Sequence, residues 1–238
     1  MLEVQATTSQ TEVHDPAILT HAKAILDACR SPQEMQEAVL AAVARNEEWR
    51  GKRCLNLLAP EALTSPTVRV LLSAEVGTRA AEGHIGPVNR WFAGTQHIDE
   101  IEALCIELLK KAFRSRYADH RLVASMIGNM AVYTALTEPG DIIMSIAQPF
   151  GGHSSNRVDG PAGVRGLKIV DIPFDPTELE VDLDLFRKVA PLVRPRLVAL
   201  GASMTLFPFP IQAISDIVAE WGGRVFFDGA HQLGLIAG

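Results

Sequence analysis

The chain has 238 residues, 47% of them apolar and 21% charged, with a net charge of −6. This is the composition of a globular protein with room for one large domain or two small ones, and its acidic balance leaves no basic footprint for nucleic acid. No apolar run reaches membrane-spanning length, residues 1–16 lack the basic flank and apolar core of a secretory signal, and three scattered cysteines (Cys29, Cys54, Cys105) fit a reducing, cytoplasmic setting without disulfides or a metal site.

Residues 1–14 read as a loose tail. Asp15-Pro16 is an N-cap followed by a first-turn proline, and Ile18, Leu19, Ala22, Ile25 and Leu26 keep helical spacing to about Arg30. Ser31-Pro32-Gln33-Glu34 has capping-box spacing and opens a second helix with Met35, Val39, Ala42 and Val43 on one stripe. This pair predicts a packing or interface arm over residues 1–56, without chemistry of its own.

From Leu55 the texture changes. Thr64-Ser65-Pro66 opens a short helix through Leu72, and a long glycine-punctuated loop spans residues 81–94. Loops of that length tend to be functional or mobile. Glu82, beside Gly83 and His84, is either an acid/base carboxylate or a solvated loop residue. An amphipathic helix is predicted from Ile98 to about Ser115. Residues 124–129 form a small-residue turn before a helix ending at Leu136, a setting in which backbone N–H groups and Ser125 can receive a phosphate.

Strand candidates follow at 142–146, 167–172, 197–200 and 225–227, with crossover helices at 184–193 and 211–220. The predicted fold class is therefore α/β, with a mainly parallel sheet covered on both faces by helices. His153 lies in the loop after the first strand. Ser203 follows the third, and Asp228 directly follows the fourth, with His231 three residues on. Ligands collect at the carboxyl ends of parallel strands, so these residues share one candidate pocket. A carboxylate there needs a positive partner, such as a protonated pyridine nitrogen; the alternative is that Asp228 caps the next helix.

These blocks carry a resemblance. Residues 57–66 (Leu-Leu-Ala-Pro-Glu-Ala-Leu-Thr-Ser-Pro), Ala81-Glu82-Gly83, Asn129-Met130-Ala131-Val132-Tyr133, Pro139-Gly140-Asp141, Gly151-Gly152-His153, Gly201-Ala202-Ser203 and Asp228-Gly229-Ala230-His231 come in the order found in serine hydroxymethyltransferases. From about Leu57 to Gly238 the chain resembles that family of pyridoxal phosphate (PLP) enzymes. The resemblance implies the large domain of the aspartate-aminotransferase fold type over residues 57–238. It implies Asp228 on the pyridine nitrogen, His153 stacked on the ring, His231 and Ser203 near its phenolic oxygen, and Ser125 near the phosphate. It further implies Glu82 as the proton-transfer carboxylate for the substrate hydroxyl, reaching a neighbouring subunit's site in a homodimer or dimer of dimers. An amino acid is the implied substrate, cleaved or formed at its Cα–Cβ bond, with use of tetrahydrofolate left open.

The departures are specific. Met126 stands where the family has its phosphate-binding serine, Pro60 replaces a serine, Ala80 replaces a tyrosine, and Pro87-Val88 extend the 81–94 loop. They fit a relative with altered aldol chemistry or a decayed copy. The family's Schiff-base lysine comes some two dozen residues past His231, and the carboxylate-binding arginine later still. None of Lys23, Lys52, Lys110, Lys111, Lys168 and Lys188 matches the lysine position. The expectation is a partial cofactor domain, inactive or nearly so by itself. A non-catalytic subunit that pairs with a complete partner is the alternative.

Overall fold

The computed structural model describes residues 14–61 and 63–237, in two compact units divided between Leu58 and Ala59. Most of the tail expected over residues 1–14 lies outside the described residues, as does Ala62 of the 57–66 block.

The first unit contains α1 (Pro16–Ala28) and α2 (Pro32–Glu48), followed by a π-helical turn at Trp49–Arg53. The caps are those the sequence announces. Asp15 accepts from the Ala17 N–H at 2.8 Å and Ser31 from the Glu34 N–H at 3.2 Å. The Glu34 carboxylate reaches back to the Arg30 N–H, one residue before the cap, so the box closes one position earlier than its usual form. Neither helix buries a residue, and Ile18, Leu26, Val39 and Leu40 are all more than half exposed.

The second unit opens with α3 (Pro66–Leu72), capped by Ser65, and α4 (Gln96–Phe113), then α5 (Ser125–Leu136). Four strands make one sheet: β1 (Ile142–Ser145), β2 (Lys168–Asp171), β5 (Leu197–Leu200) and β6 (Arg224–Phe227), in the order β2-β1-β5-β6 and all parallel. All four lie within the predicted strands, to within a residue at each end. A hairpin of β3 (Phe174–Asp175) and β4 (Glu180–Val181) follows β2. The short α6 (Pro161–Val164) precedes β2, while α7 (Leu183–Val193) and α8 (Ile211–Ala219) cross between strands, and α9 (Leu233–Ala237) follows β6.

Alternation along the strands divides the core. Met144, Val198 and Leu200 point to one face and pack with Phe186 of α7 and with Ile214 and Val218 of α8, all fully buried. Ile143 and Leu197 point to the other face, with Tyr133 of α5 and Ala162 of α6. β1 and β5, the central pair, are buried nearly throughout. Apolar runs instead of polar alternation are what a strand covered on both faces requires.

One boundary is corrected. Residues 124–129 are not a turn ahead of a helix: Ala124 is the extended N-cap and the helix begins at Ser125. The Ile127 and Gly128 N–H groups already bond to the Ala124 carbonyl, at 3.0 and 3.2 Å. Gly128 is tolerated inside the helix, because one glycine costs only about 1 kcal/mol there.

Candidate functional site

The carboxyl ends of three strands and the start of α5 surround a cavity of about 130 Å³. Its lining includes Ser125, His153, Ser203, Asp228 and His231 together with Pro60, Gly201, Ala202 and Ala230. Five of the six residues singled out in the sequence thus meet at one place. The sixth, Glu82, is exposed in the 81–94 loop and is not among the lining residues.

Local chain geometry makes the convergence. β5 and β6 run in register, and the Asp228 N–H donates to the Leu200 carbonyl at 2.7 Å, extending the ladder past the strand ends. Gly201 then turns with φ +125°, and a Cβ there would lie 2.3 Å from the Asp228 carbonyl oxygen, so only glycine passes so close to the acidic residue. The Ser203 N–H donates to Gly151 O at 2.8 Å and ties the loop after β5 to the loop after β1.

Asp228 does not cap α9, which starts at Leu233. Its Oδ1 accepts from the Ala230 N–H at 3.2 Å, and its Oδ2 accepts from Asn129 Nδ2 at 2.8 Å. The same Asn129 amide nitrogen lies 2.8 Å from Ser155 Oγ and 3.2 Å from Asn156 Oδ1. Two hydrogens thus serve three acceptors, and the two shorter contacts are the stronger. Asn129, Ser155 and Asn156 are each 2% exposed.

That network fixes the proton on His153. The Ser155 N–H donates to His153 Nδ1 at 3.1 Å, and an N–H can only donate. Nδ1 is therefore an acceptor and the ring proton sits on Nε2. Ser155 Oγ, 2.9 Å from Nδ1, accepts from Asn129 and gives its own proton to the imidazole. The ring itself is exposed at the cavity.

Tyr133 closes the network from below: fully buried, it donates its hydroxyl to Asn156 Oδ1. Burial, and secondarily the charge of Asp228, push its phenol above the ordinary tyrosine range, so it remains a donor. A raised value favours the neutral form in the folded state. The unfolded phenol begins to ionise near its ordinary 10.0 while the folded one keeps its proton, so this group's contribution is complete below that pH and is lost as pH rises above it. Tyr133→Phe should cost about 1 kcal/mol at neutral pH and flatten the alkaline decline relative to the parent. Denaturant unfolding of both proteins from pH 7 to 11 measures this; parallel curves would contradict it.

The residues present suit a pyridine ring carrying a phosphate. Asp228 offers a carboxylate held from behind, and His231 Nδ1 is buried with no hydrogen-bond partner among the described residues, a polar atom facing an unmet need. α5 begins at the cavity with no side-chain cap at Ala124, and with Ile127 and Gly128 bonded to the Ala124 carbonyl it is the Ser125 and Met126 N–H groups that are open to an anion. Met126 adds no hydroxyl there. None of the six lysines is among the lining residues.

Nothing in the sequence announces that Asn129, Ser155, Asn156 and Tyr133 form one network, because polar residues inside apolar helices and loops carry no periodic signal. The same holds for Arg90, whose side chain is 2% exposed and paired with Asp99 and Glu102 of α4. A larger cavity of about 510 Å³ lies between the β3–β4 hairpin and residues 204–210, but among its lining residues Glu180 alone is charged. Of these two cavities, the smaller carries the histidines, serines and carboxylate at the strand ends.

The family model for serine hydroxymethyltransferase matches residues 33–238. The serine hydroxymethyltransferase of Methanopyrus kandleri is 41% identical over 202 residues, covering 84% of this chain and 46% of that protein. That of Archaeoglobus fulgidus is 43% identical over 182 residues, 76% and 41% of the two chains, and that of Thermococcus kodakarensis 38% over 206 residues, 87% and 47%. The chain thus spans about half the length of these relatives.

Proposed function

The chain belongs to the serine hydroxymethyltransferase family, and from that premise we propose that residues 57–238 belong to the PLP-binding domain of a cytoplasmic enzyme acting at the Cα–Cβ bond of a β-hydroxy amino acid. The observation that carries this reading is the meeting of Ser125, His153, Ser203, Asp228 and His231 around one cavity at the carboxyl edge of the sheet. The N-terminal helices are assigned to an arm, and the working form to a homodimer or a dimer of dimers.

Each residue has a task. Asp228 holds a proton at the pyridine nitrogen, and Asn129 orients that carboxylate. When bound, the cofactor withdraws electrons from the substrate Cα as the bond to Cβ breaks or forms. His153, neutral and with Nε2–H, covers the ring without adding a like charge. Ser203 and His231 face the ring's substituents. The α5 N-terminus and Ser125 receive the phosphate. Glu82 takes the proton from the substrate's β-hydroxyl in cleavage and returns it in synthesis, acting on the site of a neighbouring subunit. Whether the aldehyde unit passes to tetrahydrofolate is a separate choice, tested by adding it.

The test is direct. The protein at its native length, supplied with PLP, should release an aldehyde and glycine-type product from a β-hydroxy amino acid. Saturable PLP binding with no cleavage of any such substrate would overturn the aldol reading. A second reading, a non-catalytic subunit, is favoured by Met126 at the phosphate end and by the absence of any lysine from the cavity lining. An intact mass well above 25.8 kDa, together with activity of the pure homo-oligomer, would eliminate it; activity only after mixing with a second protein would establish it.

A further inference from the structure

We propose that Arg90 is a positioning residue for Glu82, acting as a clamp that holds the 81–94 loop to α4. The inference rests on the role given to Glu82 above. Arg90 is the most buried charge of this region, with 2% of its side chain exposed. Its Nε donates to Asp99 Oδ1 at 2.7 Å and its Nη2 to Glu102 Oε2 at 2.8 Å. Those two carboxylates are three residues apart on α4 and so share a face. The pair holds the guanidinium in place and raises its already high pKa, Glu102 contributing first and Asp99 next.

The third arm of the fork carries the inference. Arg90 Nη1 donates to the carbonyl of Ala81, the residue immediately before Glu82. On the other side the Trp91 N–H donates to the Glu82 carbonyl at 3.1 Å. The peptide groups on both sides of the Glu82 Cα are therefore tied down, one by the Arg90 side chain and one by the residue after it. A bridge between Gly83 and Arg90 and the His84 N–H bond to Asn89 O at 3.1 Å close the loop on itself. Gly83 sits at φ +105°, where a Cβ would come within 2.1 Å of Asn89 O, so the closure is too tight for any other residue. Asp99 Oδ2 also accepts from the Gly86 N–H at 3.3 Å, which fixes the loop's tip to the same helix.

Against all this restraint the Glu82 side chain is exposed, and among the described residues its carboxylate has no hydrogen-bond or ion-pair partner. A backbone held on both sides with a free carboxylate is the arrangement expected of a group that must be presented to something outside its own chain's cavity. A merely structural loop would spend its acidic side chain locally, as Asp99 and Glu102 do.

The test is a double-mutant cycle in the protein at its native length, loaded with PLP. Arg90→Lys keeps one charge but loses the planar fork, so it cannot hold two carboxylates and a carbonyl together. It should lower kcat for Cα–Cβ cleavage by about 10–100-fold, the scale of a misplaced reacting group, with KM and PLP affinity nearly unchanged. In the Glu82→Gln background the same change should cost less than about twofold, since positioning a group that no longer acts has no value. Amide exchange at Trp91 and His84 should quicken in Arg90→Lys. Equal losses in both backgrounds, or an unchanged kcat, would overturn the clamp. If the parent shows no cleavage, the aldol reading fails, and unchanged exchange at Trp91 in Arg90→Lys would then overturn the clamp independently.

Discussion

Asp228→Asn should lower Cα–Cβ cleavage by about 10²–10³-fold, the scale of removing one preorganised charge partner where charge develops. The substitution keeps the shape of the side chain but removes the charge that, on the proposed reading, would retain a proton on the pyridine nitrogen. It also removes one acceptor. Asp228 uses both oxygens, Oδ2 for Asn129 and Oδ1 for the Ala230 N–H, whereas an asparagine has a single oxygen. One of those bonds is lost, at a cost of about 1 kcal/mol, small beside the loss in rate. Steady-state kinetics at native length, with a PLP titration and a thermal melt on the same samples, separates the two effects. A variant within a few-fold of the parent would remove Asp228 from the site.

Asn129→Leu should destabilise the protein by about 3 kcal/mol, the sum of leaving a buried hydroxyl and a partly buried carboxylate without their donor. Leucine fills nearly the same space, so a cavity is not the cause. Ser155 Oγ and Asp228 Oδ2 lose their 2.8 Å partner, while Asn156 Oδ1 retains Tyr133. For a protein of this size the loss corresponds to a drop in Tm of about 6–12 °C. His153 is affected at one remove, because Ser155 must then find another donor or turn away from the imidazole. PLP affinity should fall with stability. A Tm within about 2 °C of the parent would show that Asn129 is not the hub of the network.

Much of the site could be read from the sequence because its residues sit at strand ends. Val225-Phe226-Phe227 followed by Asp228 announces a buried strand and the acidic residue just past it. His153 and Ser203 hold the same position after β1 and β5. What could not be read was the layer beneath. Asn129 and Asp228 are 99 residues apart, and Asn129 and Ser155 are 26 apart. No local pattern links them, since each bond depends on how α5 lies against the sheet. Arg90 was passed over for a related reason: a basic residue in a polar loop looks solvated until the helix that buries it is in place.

The α/β class, the four strands of the sheet, the main helices, and the position of His153, Ser203 and Asp228 just past strand ends were legible in the chain itself. Those follow from side-chain period and from strand and helix caps, which act over a few residues. The tertiary structure alone decided which polar groups meet: that Asp228 is held by Asn129 instead of capping α9, that the His153 proton sits on Nε2, and that Arg90 grips the Ala81 carbonyl beside Glu82. Hydrogen bonds act only at close range and in fixed directions, so such pairings exist only once packing has brought distant segments together.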